Sequence, residues 1–527
     1  MLIDFRAFDG RATLEADICV VGAGAAGIAI AVSLCATRHQ VLLVESGGLE
    51  PDPKTQALYE GELAGVPWGT SLASSRGRFF GGTTNWWPGG CCPLDAMDFA
   101  CRPWIPHSGW PISREDLDPW YDRARPLLGL PDTPMDDAGP IDRDAPTLAL
   151  DPERFVHRKG MRARTPRFGS AHRARLKQAR NVRVLLHANL VELSVNESAT
   201  LVSEARIRAL DGSEGRVRAR SFVLACGGIE NARLLLLSNT TVPAGLGNGH
   251  DLVGRFFMDH PSGRLGTITS PTPSVLADPY NREVMVRGAP RPGEISLSRA
   301  IQTKDCLLNA RVRPQDYENE EAVPVSVRAA RQFAARVRGS DSAGSLPSLA
   351  WCMATGGRDL LPAIYRRLTG QAVVPSHRVE LEGFFEQAPN PDSRVTLTDT
   401  IDALGQRKVK LEWQLTELDW RTYRAAGSIF AAELERLRLG ELELDPWVRP
   451  GANCTPQLQG MAHHLGTTRM SDDPRTGVVN RDCRVHGIDN LHVVGGSVFP
   501  TGGWAPPTFT IVALAVRLAD LLRRQAR

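Results

Sequence analysis

The feature that most constrains the fold is a glycine-rich turn between an apolar strand and a helix near the start of the chain. Residues 17–21 predict a buried strand, and Gly22-Ala-Gly24-Ala-Ala-Gly27 opens a helical run to about Thr37. Residues 40–44 predict a second buried strand that ends at Glu45. Such glycines let the backbone approach a pyrophosphate at a helix N-terminus, and the acid accepts ribose hydroxyls. The unit predicts dinucleotide binding; the alternative is a glycine-rich turn in an ordinary α/β sheet.

Further glycine pairs bear on which dinucleotide is bound. Pairs occur at 47–48, 81–82, 227–228 and 495–496. An elongated flavin dinucleotide needs several close backbone approaches along its length, whereas a diffusible nicotinamide cofactor needs one such site and a second domain. The pattern favours FAD over NAD, and it predicts that these separate turns converge on one cofactor.

The composition excludes several classes of protein. With 62 basic and 59 acidic side chains the net charge is +3, too balanced to indicate nucleic acid or an anionic membrane surface. The ten cysteines are scattered without a C-x-x-C pair, so we predict no metal site and a reducing compartment. The N-terminus lacks the pattern of a signal peptide, which favours a cytoplasmic location. The uncharged stretch from Cys19 to Ala36 contains three glycines and predicts strand, turn and helix rather than a membrane span.

The remaining chain alternates strands and helices. Ser113 begins a capping-box helix that runs to about Leu127, and an apolar helix from Thr508 to about Arg524 ends the chain. The other predicted elements are a surface loop at 131–150, a strand at 182–194, a charged hairpin at 204–218, a strand at 221–226, a helix at 230–237, a strand and long helix at 411–437, and a strand from Leu491 to a turn at Ser497.

The glycine motifs carry a resemblance to a known family. The chain resembles the glucose–methanol–choline (GMC) family of flavin-dependent alcohol oxidoreductases over nearly its whole length. Trp110-Pro-Ile-Ser-Arg-Glu-Asp-Leu-Asp-Pro-Trp-Tyr121 is most similar to the branch that acts on sugars and polyols. The six motifs, in family order, are Val21–Gly27, Phe80–Thr84, Ala225–Ser238, Val253–Pro261, Pro389–Leu397 and the stretch from His463 to the last helix.

The resemblance implies an α/β fold with two parts. One is a Rossmann-like, p-hydroxybenzoate-hydroxylase-like FAD-binding domain formed by residues 1–262 and 451–527. The other is an α+β substrate-binding cap formed by residues 263–450. The predicted cofactor-binding residues are Gly22, Gly24, Ala26, Gly27, Glu45, Ser46, Gly81, Gly82, Thr83, Thr84, Val191, Gly227, Gly495, Gly496, Pro507 and Thr508.

The resemblance also implies oxidation of a CH–OH group, with a histidine that takes the hydroxyl proton while hydride passes to flavin N5. In the family this base is the histidine that opens H-x-x-G-T, which is His463 here. An imidazole with an ordinary pKa can accept a proton at neutral pH. His464 is the second candidate for the base, or else a structural neighbour of it. The third possibility is that neither histidine is the base.

The chain departs from the family at three positions. The usual His or Asn before the last helix is Pro506, so His464 or Trp504 holds the substrate oxygen or the base works alone. The position of the covalent flavin attachment found in some members is Trp86, which predicts non-covalent FAD. The frequent acid before the final serine is Gly495. Thr508, at the start of the last helix, is expected near the flavin pyrimidine edge or as a simple N-cap.

Several functions remain open on these grounds. The first is oxidation of a sugar-like alcohol, with oxygen or a quinone or dye as electron acceptor. The acidic run Asp316-Tyr-Glu-Asn-Glu-Glu321 suggests an aminosugar or aminoglycoside, and its alternative is a solvated loop. A lyase or photoenzyme on the same flavin fold, a non-enzymatic flavin protein and a nicotinamide enzyme are the alternatives. The oligomeric state is not determined by the sequence.

Overall fold

The computed structural model describes most of the chain. The described residues are 1–8, 12–132, 147–281, 284–286, 289–291, 293–316, 324–337, 346–355, 357–368, 378–449, 451 and 457–525. Most of the predicted loop at 131–150 and of the acidic run at 316–321 lies outside them.

The strands of the described residues are β1 (Leu2–Asp4), β2 (Ala12–Val21), β3 (Val41–Val44), β4 (Gly61–Gly65), β5 (Gly90–Cys91), β6 (Phe155–Lys159), β7 (Met161–Arg162), β8 (Val182–Leu186), β9 (Asn189–Val195), β10 (Val202–Arg208), β11 (Glu214–Leu224), β12 (Pro261–Thr269), β13 (Val284–Val286), β14 (Ala289–Arg291), β15 (Gly293–Leu297), β16 (Ala310–Asp316), β17 (Arg378–Phe385), β18 (Arg394–Ile401), β19 (Arg407–Trp413), β20 (Glu441–Leu444), β21 (Gln459–Gly460) and β22 (Leu491–Val493).

The α-helices are α1 (Ala25–Ser33), α2 (Pro53–Gln56), α3 (Ala96–Phe99), α4 (Arg114–Leu128), α5 (Phe168–Gln178), α6 (Gly227–Leu237), α7 (Pro273–Asn281), α8 (Arg299–Lys304), α9 (Val325–Val337), α10 (Leu346–Thr355), α11 (Gly357–Leu368), α12 (Glu417–Leu437) and α13 (Thr508–Gln525). Short 3-10 turns occupy Phe5–Ala7, Ala57–Tyr59, Gly82–Asn85, Pro446–Val448 and Gly496–Val498.

The first sheet has the order β1-β8-β3-β2-β11-β10-β9, with β22 paired to the end of β11. Its central strands β2, β3, β11 and β22 run parallel, and the residues at their carboxyl ends are apolar and buried. Such continuous apolar runs occur where both faces of a parallel sheet are covered. Helix α1 packs against the sheet and against α13, so the two ends of the chain build one Rossmann-type core.

The second sheet has the order β20-β12-β17-β16-β15-β6, with β21 also paired to β12. Residues 155–159 of β6 pair with 293–297 of β15, so a strand from the 1–262 segment joins a sheet formed mostly by 261–444. Helix α12 packs across this sheet, and Phe155, Phe385 and Phe430 are buried in its core. The boundary at 263–450 therefore stays a prediction, with β6 as an addition to the cap.

Most predicted elements are present. Ser113 accepts a hydrogen bond from the Asp116 amide at the start of α4 (3.2 Å), as the capping box predicts. The strand predicted at 182–194 is wrong in one respect, because it is two strands, β8 and β9. His187 between them has φ +59°, a left-handed conformation that turns the chain. Among the described residues, no helix is both long and apolar enough to cross a membrane.

Candidate active site

A cavity of about 810 Å³ opens where the parallel strands of the first sheet end. Its walls include the residues that follow β2, β3 and β11, together with the turn after β22 and the start of α13. In open α/β sheets, ligands bind at the carboxyl ends of the strands, since helix N-termini and turn amides converge there. Both sheets contribute walls, because Glu294, Arg311 and Phe384 of the second sheet also line the cavity.

The first glycine turn forms one end of the cavity. Gly22 has φ +97°, and Gly24 is the N-cap of α1 without a side-chain cap, so the helix amides face the cavity. A Cβ built on Gly24 meets no atom within 4 Å, whereas one on Gly27 would lie 1.8 Å from the Gly22 carbonyl oxygen. Gly24 thus leaves room for a ligand, while Gly27 lets the helix start against its own turn. This is the arrangement that a pyrophosphate requires.

Glu45 ties the turn together from the end of β3. Its carboxylate accepts hydrogen bonds from the Ala23 amide (2.8 Å) and the Gly47 amide (2.9 Å). Two carboxylate oxygens offer about four acceptor positions, so capacity remains for ribose hydroxyls. Glu45 and Ser46 both line the cavity.

The second glycine turn rests on the first. The Gly81 amide donates to the Ala23 carbonyl (2.8 Å), and a Cβ on Gly82 would lie 3.0 Å from Gly24 Cα. Gly82, Thr83 and Thr84 line the cavity. The two turns, nearly 60 residues apart in sequence, thus form one continuous backbone surface.

The other two glycine pairs share one arrangement. Gly227 (φ +84°) and Gly495 (φ +128°) line the cavity, and their side toward it is open. A Cβ on Gly228 would lie 2.2 Å from the His464 carbonyl oxygen, and a Cβ on Gly496 would lie 2.6 Å from it. All four glycines line the cavity, and the second of each pair also makes room for the histidine segment.

Most predicted cofactor-binding residues meet at this cavity. Three of them do not line it: Gly27, Gly81 and Val191. Gly27 and Gly81 contact the first turn instead, and on the strand of Val191 it is Leu190 that lines the cavity. The pair Gly47–Gly48 packs against Arg78 and His187. The predicted residues that line the cavity are Gly22, Gly24, Ala26, Glu45, Ser46, Gly82, Thr83, Thr84, Gly227, Gly495, Gly496, Pro507, Thr508, His463 and His464.

His463 lines the cavity and has a partner that the sequence did not indicate. Its Nδ1 lies 2.8 Å from His260 Nδ1, and His260 Nε2 lies 2.9 Å from the Gly503 carbonyl oxygen. A carbonyl only accepts, so His260 Nε2 carries a proton, and in the neutral ring its Nδ1 is an acceptor. His463 Nδ1 then donates, which leaves Nε2 of His463 as an acceptor.

Asp259 holds both imidazoles in place through the backbone. Its Oδ1 accepts from the amides of His260 (2.7 Å) and His463 (2.8 Å). Its Oδ2 accepts from Trp68 Nε1 (2.7 Å) and the Ala462 amide (3.1 Å). Burial raises the pKa of Asp259 to about 6, although these hydrogen bonds lower it.

Burial keeps the imidazoles uncharged at neutral pH. It lowers the pKa of His260 to about 4 and that of His464 to about 3. The pKa of His463 is lowered well below 6.5, first by burial and then by His260 and Arg311. The expectation of an ordinary histidine pKa therefore needs correction: both candidate bases are neutral well below pH 6.5.

His464 differs from His463 in its surroundings. Its ring lies 5.1 Å from the Trp68 ring and 6.0 Å from the Phe257 ring, and its Nε2 is buried without a hydrogen bond. No hydrogen bond to a described residue fixes its tautomer in the way that His260 fixes that of His463. The geometry thus favours His463 as the proton acceptor.

The positions where the family pattern fails are also visible. Pro506 lines the cavity, as do Trp86 and Thr508 at the N-terminus of α13. Trp504 does not: its Nε1 donates to Asp95 (3.1 Å) outside the cavity. The suggestion that Trp504 holds a substrate oxygen is wrong, because its only polar group is already bonded.

The second sheet contributes a charged wall that sequence reasoning did not find. Arg311 donates to Glu294 (2.7 Å), and its guanidinium lies 4.3 Å from the centre of the Phe384 ring. Arg313 lies 5.5 Å from the same ring and donates to Gln315 (3.0 Å). Residues 311 and 313 point to one face because side chains alternate along a strand, but only the paired strands show which face meets the cavity.

Comparisons with known proteins agree with this architecture. The family model described as GMC oxidoreductase matches residues 389–515. The chain is 26% identical to 6'''-hydroxyparomomycin C oxidase of Streptomyces lividus, over 96% of this chain and 91% of that protein. It is 24% identical to the fructose dehydrogenase large subunit of Gluconobacter japonicus, over 97% and 98%. Its fold is similar to pyridoxine 4-oxidase from Mesorbium loti, with a TM-score of 0.55, 18% identity and coverage of 96% and 98%.

Fold, cavity and relatives together define an FAD-dependent oxidoreductase that acts on the CH–OH groups of alcohols. The chain is similar to the GMC oxidoreductases, whose family model matches its C-terminal part. The open sides of Gly24, Gly227 and Gly495 and the free amides of α1 fit a bound FAD.

Proposed function

We propose that the protein oxidises a CH–OH group of a polyhydroxylated, sugar-like alcohol to the carbonyl, with Nε2 of His463 as the base. The observation that carries this proposal is the chain from His463 Nδ1 to His260 (2.8 Å) and on to the Gly503 carbonyl (2.9 Å). This chain of hydrogen bonds puts the proton of His463 on Nδ1, so Nε2 can accept a hydrogen bond from a substrate hydroxyl. When bound, FAD supplies the hydride acceptor, flavin N5.

The low pKa of His463 suits this role. The ring is neutral at pH 7 and can take a hydroxyl proton as the C–H bond breaks. Its proton leaves again once the charge on the substrate is gone, because burial makes the imidazolium unstable. His464 remains the second candidate for the base.

The cofactor is proposed to lie along the glycine turns without a covalent bond. The turns at Gly22–Gly24 and Gly82 would hold the pyrophosphate, and Glu45 the ribose. Gly227, Gly495 and Thr508 would lie toward the ring end. Trp86 offers no nucleophile for flavin attachment, which supports non-covalent FAD. Oxygen or a quinone or dye is the proposed electron acceptor.

The substrate class is supported by the relatives and by the charged wall. One relative is named for a hydroxyparomomycin and another for fructose, both rich in hydroxyls. Glu294 offers acceptors and Arg311 and Arg313 offer donors, a combination that can bind sugar hydroxyls. An aminosugar or aminoglycoside is the narrower form of the proposal, and Glu294, the acid that the second sheet contributes to the cavity wall, would meet its amino group.

The experiment has two stages. Absorbance near 450 nm first shows whether the purified protein holds flavin. Anaerobic mixing with D-fructose, paromamine and D-glucose then follows bleaching of that band, and reoxidation by oxygen or a quinone identifies the acceptor. His463→Ala is expected to slow bleaching by about 10²- to 10⁴-fold, the usual contribution of a general base.

Four results would overturn parts of the proposal. A colourless protein that FAD cannot reconstitute contradicts the cofactor. A wild-type bleaching rate in His463→Ala contradicts the assignment of His463 as the base. A loss of bleaching rate in His464→Ala alone would assign the base to His464. Product without bleaching would favour the lyase or photoenzyme alternative.

A further inference from the structure

A second imidazole lies directly behind the proposed base, on the side away from its acceptor nitrogen. His260 is buried, and both of its ring nitrogens have partners: His463 Nδ1 at 2.8 Å and the Gly503 carbonyl at 2.9 Å. The two rings meet edge to face, with centres 5.0 Å apart and planes at 84°. The residue comes from a different part of the chain, and Asp259 fixes both backbones.

We infer that His260 is a positioning residue that fixes the tautomer of His463 and receives its Nδ1 proton during the reaction. This inference rests on the proposed function, because it needs His463 as the base. The substrate hydroxyl proton goes to His463 Nε2, and the proton on His463 Nδ1 moves to His260 Nδ1. His463 ends neutral, and His260 carries the charge between its two N–H groups, one of which donates to Gly503.

The surroundings support a charge on His260 better than one on His463. Glu386 accepts a hydrogen bond from the Gly503 amide (3.2 Å), and its negative charge acts on His260. Arg311 opposes a positive charge on either ring. Among the described residues, Arg102 forms a buried ion pair with Glu386, and Asp98 lies beside Gly503. Asp259 holds both backbones, and His464 acts on His463. A proton passed back to His260 moves toward the Gly503 carbonyl and Glu386, away from the substrate.

The pair also accounts for a departure from the family. Pro506 has no side chain that exchanges a proton, and Trp504 is bonded elsewhere. His464 has no hydrogen bond on its buried Nε2. Among the described residues, His260 is the titratable side chain that is hydrogen-bonded to His463. The partner of the base therefore lies at its Nδ1, on the side away from the acceptor nitrogen Nε2.

Two variants separate the two roles of His260. His260→Asn places an amide oxygen near the position of Nδ1, so it can hold the His463 tautomer but cannot take a proton. His260→Leu removes both functions. His39→Asn is the matched control, because His39 is a buried histidine whose Nε2 meets the Arg523 carbonyl (3.2 Å) away from the cavity.

Two measurements are made on each flavin-loaded protein. The first is the rate of flavin bleaching, with the best alcohol of the panel, in mixtures of H₂O and D₂O. The second is the tautomer of His463 in nitrogen NMR spectra of protein labelled at histidine, which needs no turnover. Melting temperature and the flavin spectrum check that each variant is folded.

We expect a curved dependence of the wild-type rate on deuterium content, because two protons move together. His260→Asn should keep the Nδ1–H tautomer, slow bleaching and give a straight line. His260→Leu should lose the tautomer and about 10- to 100-fold in rate, the scale seen when a partner that orients a metal-binding histidine is removed. His39→Asn should match the wild type.

A straight wild-type line, or unchanged rate and tautomer in His260→Leu, would refute the inference. Failure of the proposed function looks different, since His463→Ala would then bleach as the wild type does. If His463→Ala is slow while both His260 variants behave as the wild type, the base stands and His260 has no role in proton movement.

Discussion

Gly228 is expected to be essential for activity because no space exists for a side chain at this position, and not because of its backbone conformation. Its φ is not in the left-handed region, yet an added Cβ would lie 2.2 Å from the His464 carbonyl oxygen. Ordinary contact begins at 3.4 Å, so Gly228→Ala requires a shift of about 1.2 Å in the segment that carries His463. A misplacement of about 1 Å at a reacting group costs about 10²-fold in rate. Such overpacking also costs about 1–3 kcal/mol of stability.

The assay is anaerobic flavin bleaching, normalised to bound flavin, with melting temperature measured on the same samples. Gly249→Ala is the control, because its Cβ would meet nothing within 4 Å and its φ lies outside the left-handed region. Gly228→Ala should lose about 100-fold in bleaching rate, while Gly249→Ala keeps the wild-type rate. A Gly228→Ala protein with wild-type rate and stability would refute the view that this glycine positions the histidine segment.

Three further predictions concern the cofactor and pH. Gly24→Val should weaken FAD binding without unfolding the apoprotein, since its side chain enters open cavity space; equal FAD affinity by fluorescence titration would contradict this. The bleaching rate should stay constant from pH 8 down past pH 6.5, because burial lowers the pKa of His463 well below 6.5. The folded-state pKa values of His260 and His463 lie below the unfolded value, so their contribution to stability should fall as the pH drops below 6.5, while the raised pKa of Asp259 contributes in the opposite direction. A rate that halves at pH 6.5 would show an unperturbed imidazole.

The sequence predicted the parts of the fold that depend on local pattern. The first βαβ unit, the capping box at Ser113 and the last helix are each specified by neighbouring residues, and the structure has all three. The break between β8 and β9 was missed because His187 adopts φ +59° without a glycine to signal it. Its amide donates to the Gly47 carbonyl (3.0 Å), a contact between distant segments.

The site was predictable only where one motif carries it. The motif that His463 opens predicts it as the base, and the structure shows that it lines the cavity. His260 lies 203 residues earlier in the chain, so no spacing rule links it to the base. The same holds for Arg311, whose approach depends on the pairing of β15, β16 and β17. Long-range pairing of this kind is decided by the burial of whole sheets, which a single sequence does not display.

The glycine pairs connect the cavity wall to the position of His463. Asn231 bridges the two turns, since its Oδ1 accepts from the Cys226 amide (2.8 Å) and its Nδ2 donates to Ser497 Oγ (2.9 Å). Both glycines of each turn line the cavity, and the second one also packs against the His464 carbonyl. A ligand that orders these turns therefore also restrains the segment that carries His463. The two turns, nearly 270 residues apart in sequence, thus contact the same segment. A substitution in either turn should therefore disturb flavin binding and proton transfer together.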